Sequence, residues 1–186
     1  QLPKQLYKAE PLKWEARFFW SDNTIIHLGM IDDALFNLAN YQQKSKIDYY
    51  YILPDNNYNI KRRRNELLYK PLVSESTKAS CFGPKLSLEQ LDTQADPVLK
   101  KRLIQLGHEV QRKALEVCVS KESFTYKFAT RPAIKLELAR LEVNKKIYFS
   151  ACIEGKSLYL VESISKHLLG EGISCDYVSF LKKIIS

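Results

Sequence analysis

Four consecutive cations, Lys61 to Arg64, are the feature of this sequence that best fits chemistry with an anion. An apolar run with one further cation, Lys70, follows them after a polar break. Because side chains alternate across a strand, Lys61 and Arg63 would share one face, and Arg62 and Arg64 the other. If one face lines a concavity, its cations form an anion site, in which arginine suits phosphate through its planar fork of donors.

Cations from other predicted strands could join this cluster. Lys70 belongs to the next predicted strand, and Arg112 belongs to a later one. In a closed sheet, both could converge with Lys61 and Arg63 on one anion. A solvated edge strand is the alternative for the cluster, since cations at an edge discourage pairing with other chains.

Two carboxylates on predicted strands could hold a divalent metal. Glu15 lies on the mixed face of the strand 13–20, and Glu137 lies on the strand 134–144. Metal-assisted phosphoryl chemistry needs carboxylates that converge on Mg²⁺ or Mn²⁺. Glu15 and Glu137 are therefore the candidate metal ligands, with the alternative that they only pair with nearby cations. The histidines and glycines form no nucleophile motif and no phosphate loop, so the sequence assigns no catalytic residue.

Composition narrows the class of function. The chain has 186 residues and a formal charge of +8, which favours anionic partners such as phosphates, nucleotides or nucleic acid. The four cysteines are widely spaced without a zinc pattern and predict reduced thiols in a cytoplasmic protein. No apolar run is long enough to span a membrane, so we expect no membrane partner.

The elements that must position these residues follow from hydrophobic periodicity. Helices are predicted at 31–39, from Asp96-Pro97 to Gly107, in the segment that stops at Gly170, and at 175–185. Strands are predicted at 13–20, 46–54, 58–64, 66–73, 108–120, 123–130, 134–144 and 146–155.

This order of elements predicts an α+β fold. Eight strands connected in hairpin-like series form an antiparallel barrel or tunnel with a wet interior and peripheral helices. The length predicts a single domain over residues 1–186. It would include an irregular lead-in at 1–12, a loop at 74–94 and C-terminal helices within 156–186.

The pattern resembles the CYTH-like superfamily, the triphosphate tunnel fold. The stretches that carry the resemblance are KIDYYYILP at 46–54, IKRRRNELLYK at 60–70 and KLELARLEV at 135–143. The resemblance implies an eight-stranded antiparallel barrel with outer helices. It also implies that triphosphate binds in a basic tunnel, where members of the family often hydrolyse it with magnesium or manganese.

By the same resemblance, Lys61, Arg63, Lys70 and Arg112 would be tunnel cations, and Glu137 would be a late-strand carboxylate. These assignments follow from the family's pattern and not from the spacing of the residues. They name the cations that we expect to contact a phosphorylated ligand.

The first strand departs from the family's pattern. Catalytic members resemble Glu-x-Glu-x-Lys at this point, whereas this sequence keeps only Glu15. Arg17 stands in place of the second glutamate, and Phe19 stands in place of the lysine. Because a cation opposes metal binding directly, Arg17 joins the candidate anion ligands.

Three functions remain open from the sequence. The first is a CYTH-like domain that binds triphosphate, polyphosphate, a nucleotide or another anion with little or no hydrolysis. The second is an active metal-dependent triphosphatase that draws ligands from elsewhere, such as Glu116 or Glu142. The third is an interaction module whose basic face holds nucleic acid or a partner protein.

Overall fold

Ten strands form one antiparallel sheet in the computed structural model, which describes residues 12–29, 32–92, 94–170 and 174–186. Three α-helices complete the α+β fold: α1 (Pro97–Lys113), α2 (Leu158–Leu169) and α3 (Tyr177–Ile185). The strands are β1 (Lys13–Ser21), β2 (Gln42–Ile52), β3 (Asn59–Arg63), β4 (Glu66–Lys70), β5 (Leu72–Glu75), β6 (Ser80–Phe82), β7 (Leu86–Ser87), β8 (Leu115–Phe128), β9 (Ile134–Val143) and β10 (Lys146–Gly155).

The sheet curls because the chain ties its two ends together. Its strand order is β5-β6-β1-β10-β9-β8-β2-β3-β4-β7. β4 and β5 lie near opposite ends of this order, yet only Pro71 separates them along the chain. One residue cannot cross the width of a flat sheet, so the two ends must approach each other and enclose an interior.

Two tight hairpins set the register of the strands that line this interior. Arg64 and Asn65 connect β3 to β4 with φ of 50° and 64°. Asn144 and Lys145 connect β9 to β10 with φ of 51° and 63°. Two successive residues at positive φ match the twist of the flanking strands, and asparagine tolerates this conformation.

The outer face of the sheet is covered by α1 and α2. Asp96 caps α1 by accepting hydrogen bonds from the backbone N–H groups of Val98 and Leu99, and Pro97 occupies the first turn. Buried leucines of α1 pack on β3 and β4, and the apolar stripe of α2 packs on β1, β9 and β10. These two layers fix the curvature from outside.

The third helix enters the interior. Tyr177, Val178, Phe180 and Leu181 of α3 pack against inward-facing residues of the sheet. We call this region the apolar half of the interior; its sheet residues include Tyr50, Ile52, Val117, Val119, Ala139, Leu141 and Val143.

The prediction of a helix at 31–39 was wrong. The structure has two short 3₁₀ turns there, Asp33–Phe36 and Leu38–Asn40, and residues 30 and 31 lie outside the described residues. The side chain of Asp32 accepts from the N–H of Ala34, and that of Asn37 accepts from the N–H of Ala39. These side chains divide the segment into two capped turns, because they compete with helical hydrogen bonds.

The predicted end of α1 at Gly107 was also wrong. The helix continues to Lys113, because the apolar stripe goes on to Val110 and a single glycine costs only about 1 kcal/mol inside a helix. The segment 108–113 is therefore helical, and the predicted strands at 108–120 and 123–130 form one strand, β8.

The remaining differences concern strand count and loops. The described sheet has ten strands rather than eight. β5 separates from β4 at Pro71, and β6 and β7 form within the predicted loop 74–94, whereas two predicted strands merge into β8. The predicted lead-in at 1–12 lies outside the described residues except for Leu12. The single domain over 1–186 stays a prediction. Among the described helices, none has the length and apolar character that crossing a membrane requires.

Candidate anion-binding site

Strand alternation directs charged side chains into the other half of the interior. We call this region the polar half; it contains Glu15, Arg17, Asp48, Lys61, Arg63, Lys70, Lys121 and Glu137. All of these side chains except that of Asp48 line a cavity of about 540 Å³. Eight lysine and arginine side chains line it against three glutamates, so the cavity is strongly basic. The cations beyond those predicted are Lys13, Lys46, Lys85 and Lys121.

Asp48 connects the two predicted cations of β3. Arg63 donates from Nε and Nη2 to the two carboxylate oxygens of Asp48 at 2.7 and 2.6 Å. The Nζ of Lys61 lies 3.7 Å from the same carboxylate. Burial opposes ionisation of Asp48, but the bonds from Arg63 and the nearby charges of Lys61 and Arg63 together hold the pKa of this carboxyl below its usual range.

Lys61 is a buried lysine of the cavity. The residue is 9% exposed. Burial, opposed by the attraction of Asp48 and reinforced by the neighbouring Arg63, Lys85 and Lys70, lowers its pKa to about 6. The ammonium group therefore loses its proton more readily than that of an ordinary lysine.

The cavity floor carries an alternating row of charges. Lys70 donates to Glu15 at 2.5 Å, and Glu15 lies 3.9 Å from Arg17. Arg17 donates to Glu137 at 3.3 Å, and Glu137 also accepts from Lys121 at 3.1 Å. Burial raises the pKa of Glu15, but Lys70 and Arg17 outweigh it and bring the pKa to about 2. Both glutamates are therefore ionised and held by cations.

The predicted metal site does not fit these contacts. The guanidinium of Arg17 contacts both Glu15 and Glu137, so a cation already occupies the position between the two carboxylates. No group of three His, Cys, Asp or Glu side chains within the described residues could hold a metal ion. Glu116 and Glu142 are exposed, and Glu116 accepts from Tyr51. They stand on the outer face of β8 and β9 and do not reach the cavity.

Arg112 does not belong to the site. The sequence placed it on a strand, but it lies in the last turn of α1 and is exposed. Arg62 points to the outer face, where it donates to Glu89 at 2.7 Å. Arg64 lies in the exposed hairpin turn between β3 and β4. The structure therefore brings together Arg17, Lys61, Arg63 and Lys70 from the predicted set, while their role in binding stays a prediction.

Sequence reasoning missed four cations of the cavity. Lys13 shares the face of Glu15 and Arg17 on β1, so alternation could have found it. Lys46 shares the face of Asp48 by simple alternation, so the parity of the predicted strand could have found it. Lys121 fell in the gap between two predicted strands that are one strand in the structure. Lys85 lies between β6 and β7, and no local pattern brings such a residue to the cavity.

The interior continues beyond the basic cavity. Its narrow part, about 60 Å³, is lined by Glu15, Lys61 and Lys70 and by Tyr177 of α3. A further cavity of about 200 Å³ follows, and Lys70 lines it too. Its charged residues also include Glu75 and Asp176. The polar half therefore has one strongly basic end and one end that lacks a cationic excess.

Comparisons with solved structures find distant likenesses, two of which follow. No protein-family model and no curated protein matches the chain. A Bacillus halodurans protein, named provisionally as an adenylate cyclase, aligns with a TM-score of 0.48 at 10% identity over 95% of this chain and 100% of its own. The PH1819 protein of Pyrococcus horikoshii OT3 aligns with a TM-score of 0.41 at 17% identity over 91% of this chain and 99% of its own.

Proposed function

We propose that this chain is a CYTH-like domain whose polar half binds a small ligand with several phosphate groups, such as triphosphate, polyphosphate or a nucleotide. The observation that carries the proposal is the convergence of cations from separate strands. Arg17 comes from β1, Lys61 and Arg63 from β3, Lys70 from β4 and Lys121 from β8. Such an arrangement stabilises concentrated negative charge, since partly buried charges are screened less by salt and water than exposed ones.

Repulsion among the cations supports an anionic ligand. Lys46 and Lys121 are directly opposite each other on β2 and β8, and this pairing of like charges is unfavourable. Glu137 is the carboxylate beside the pair and accepts from Lys121. Burial and the neighbouring Arg63 and Lys121 lower the pKa of Lys46. Burial, Arg63 and Lys70 lower the pKa of Lys85 in the same way. A bound polyanion would relieve this repulsion, and the relief contributes to its affinity.

The carboxylates favour binding over hydrolysis. Glu15 and Glu137 are held by Lys70, Arg17 and Lys121. The guanidinium of Arg17 lies where a metal ion bound by both glutamates would have to lie. A bound phosphate would compete with these carboxylates for the same donors. The proposed activity is therefore binding with little or no turnover.

A small ligand fits the site better than a nucleic acid strand. The cations lie inside the curled sheet, in a cavity of about 540 Å³, which has the size of a small-molecule site. The predicted outer cation Arg62 is already paired with Glu89. Nucleic acid recognition generally uses an exposed basic groove or stripe.

Calorimetric titration with inorganic triphosphate tests the proposal. We expect one binding site, with affinity that falls as salt rises. A phosphate-release assay with triphosphate and nucleoside triphosphates, with and without manganese, should show little turnover. Manganese-dependent release that Glu137→Gln abolishes would contradict the non-hydrolytic function. Salt-dependent binding of single-stranded oligonucleotides without binding of triphosphate would replace it with the nucleic acid function.

A further inference from the structure

Asn59 carries a buried polar atom that the fold does not use. Its side chain lines the narrow part of the interior and also the cavity of about 200 Å³ beyond it, which we call the far cavity. Its Oδ1 is buried and accepts no hydrogen bond from the described residues. A buried acceptor without a donor destabilises the fold, and folded proteins contain few of them. The amide of Asn59 is therefore better explained by a ligand than by folding.

The amide of Asn59 can turn without breaking a hydrogen bond. Within the described residues, no group bonds to its oxygen or to its nitrogen. A half-turn about the Cβ–Cγ bond exchanges the positions of Oδ1 and Nδ2, which are an acceptor and a donor of nearly the same shape. Asn59 can therefore present either atom to a ligand that lies in the narrow part or in the far cavity.

Strand register places a hydroxyl near this amide. Asn59 of β3 is directly opposite Lys70 of β4, and Ser80 of β6 is directly opposite Glu15 of β1. Lys70 donates to Glu15, so one ion pair connects the two pairs of strands. Ser80 lines the same two cavities as Asn59. An uncharged amide and an uncharged hydroxyl therefore flank the ion pair at which the basic cavity ends.

The far cavity disfavours phosphate. Lys70 is the one cation among the described residues that line it, and Glu15 already pairs with this cation. Glu75 and Asp176 also line the far cavity, and both are acidic. A chain of phosphates that continued past Lys70 would therefore meet charge of its own sign. The phosphates of a ligand should end near Lys70, and the part of the ligand beyond them should carry no negative charge.

The rest of the lining suits a hydroxylated organic group. Tyr58, Leu72 and Phe82 add apolar surface to the far cavity, next to the polar side chains of Asn59 and Ser80. Apolar walls with a few polar groups are typical of sites for small organic molecules. The narrow part has about 60 Å³, roughly the volume that two water molecules occupy in the liquid, so it has room for a connecting chain of atoms.

We propose that the far cavity binds the sugar of a sugar triphosphate, such as a nucleoside triphosphate, with Asn59 and Ser80 hydrogen-bonded to the sugar hydroxyls. The phosphates then lie in the basic cavity. This inference rests on the proposed function, because the same cations must hold the phosphates. It narrows the ligand from any small polyphosphate to an ester whose organic group carries hydroxyls close to the phosphate chain.

Calorimetric titration with three triphosphate esters tests the inference. The probe is uridine triphosphate, and the references are methyl triphosphate and 2′,3′-dideoxyuridine triphosphate. All three have the same phosphate charge, but neither reference has the sugar hydroxyls. We expect uridine triphosphate to bind about tenfold more tightly than either reference, as one or two hydrogen bonds to the hydroxyls would give. Equal affinity for the three esters would overturn the inference.

Substitutions at the two polar side chains should remove this preference. Asn59→Leu keeps a similar volume without the amide, and it should weaken uridine triphosphate about tenfold while methyl triphosphate changes by less than about twofold. Ser80→Ala should act in the same direction. Ser120→Ala is the matched control, because Ser120 is exposed on the outer face of β8, and it should change neither affinity.

Thermal melting without ligand separates binding from a role in folding. Asn59→Leu should leave Tm unchanged or raise it, because an apolar side chain replaces a buried acceptor that has no donor. A lower Tm, together with an equal loss of affinity for uridine triphosphate and methyl triphosphate, would show that the amide serves the fold and would overturn the inference.

The methyl ester also separates this inference from the proposed function. If methyl triphosphate binds and uridine triphosphate binds no more tightly, the sugar site is wrong and the binding function stands. If inorganic triphosphate and all three esters fail to bind, both are wrong. Tighter binding of uridine triphosphate that Asn59→Leu abolishes supports both.

Discussion

The two halves of the interior are built by the same strands but have different physical roles. β1 contributes Glu15 and Arg17 to the polar half and Phe19 to the apolar half. β8 contributes Lys121 to the polar half and Val119 to the apolar half. The inward-facing side chains of these strands therefore change from charged to apolar along the strand, close to the start of α3.

The boundary between the halves consists of aromatic rings with cations above them. The guanidinium carbon of Arg17 lies 4.7 Å from the ring centroid of Tyr177, and Lys61 lies 5.8 Å from that of Tyr50. The two rings stack on each other at 5.2 Å. Aromatic faces attract cations and also pack in a core, so these residues can serve both halves.

The difference between the halves teaches that stability and binding have separate sources here. Apolar burial stabilises the fold directly, at about 25 cal/mol per Å². Buried ion pairs contribute little net stability, because desolvation offsets their attraction. The polar half is therefore better explained by a ligand than by folding, and mutations should separate the two properties.

The largest expected effect is on stability, from a substitution in the apolar half. Phe180 is buried, and its ring stacks on that of Phe19 with centroids 4.0 Å apart. Phe180→Ala should lower the free energy of unfolding by about 3–5 kcal/mol, measured by urea denaturation. Triphosphate affinity of the folded variant should stay within about twofold, since no charge of the polar half changes.

Tyr159→Ala provides the matched control for this substitution. Tyr159 lies on α2 and is 78% exposed, so its removal should change the free energy of unfolding by less than about 0.5 kcal/mol. If Phe180→Ala instead leaves stability intact and removes triphosphate binding, the division between the halves is wrong.

The second effect is on affinity, from two adjacent arginines. Arg63 faces the polar half and Arg62 faces the outside. Arg63→Ala should weaken triphosphate binding by about 10- to 100-fold, because it removes a bidentate donor. Arg62→Ala should change affinity by less than about twofold, since its partner is Glu89 at the surface. Calorimetry measures the triphosphate affinity of both variants, and thermal melting checks that each variant is folded. Equal losses would refute the inward orientation of Arg63.

The third effect distinguishes a charge partner from a metal ligand. Glu15→Gln removes a carboxylate that competes with phosphate for Lys70 and Arg17. We expect triphosphate affinity to rise by about five- to tenfold in the absence of added metal, which corresponds to about 1 kcal/mol. Glu116→Gln on the outer face is the control and should have no effect. Weaker binding by Glu15→Gln, with a lost response to manganese, would instead indicate a metal site.

The smallest effect is a proton taken up on binding. The free pKa of Lys61 is about 6, and a nearby polyanion raises it. Between these two values each complex gains up to one proton, so affinity should increase as pH falls from 8 to 6, by at most about tenfold per unit. Calorimetry in buffers of different ionisation enthalpy measures the uptake. Triphosphate itself also takes up protons in this pH range. The contribution of Lys61 is therefore the difference in proton uptake between the unsubstituted protein and Lys61→Met. No difference would argue against a neutral Lys61.

Local periodicity was sufficient for part of the site. The separation of Lys61 and Arg63 from Arg62 follows from alternation alone, and the hairpin at Asn144 and Lys145 follows from turn chemistry. Both depend only on residues within a few positions of one another. The α+β class and the antiparallel, inward-curled sheet follow from the order of such local elements.

What the sequence could not predict depends on distant contacts. β6 has three residues and β7 has two, which is too short for a periodic pattern; they form by pairing with β1 and β4. The approach of Lys85 to the cavity depends on that pairing. Periodicity also gives an apolar stripe for α3 without saying which face of the sheet receives it. Gly107 misled the prediction of α1, and with it the placement of Arg112, because packing of the stripe overrode a local stop signal.

A crystal structure of the protein grown with inorganic triphosphate tests the central claim most directly. The account predicts a chain of phosphate density inside the curled sheet, in contact with Arg17, Lys61, Arg63 and Lys70, with the apolar half around Phe180 unchanged. Triphosphate bound only at the outer face near Arg62, or an interior left without it at saturating concentration, would contradict the account.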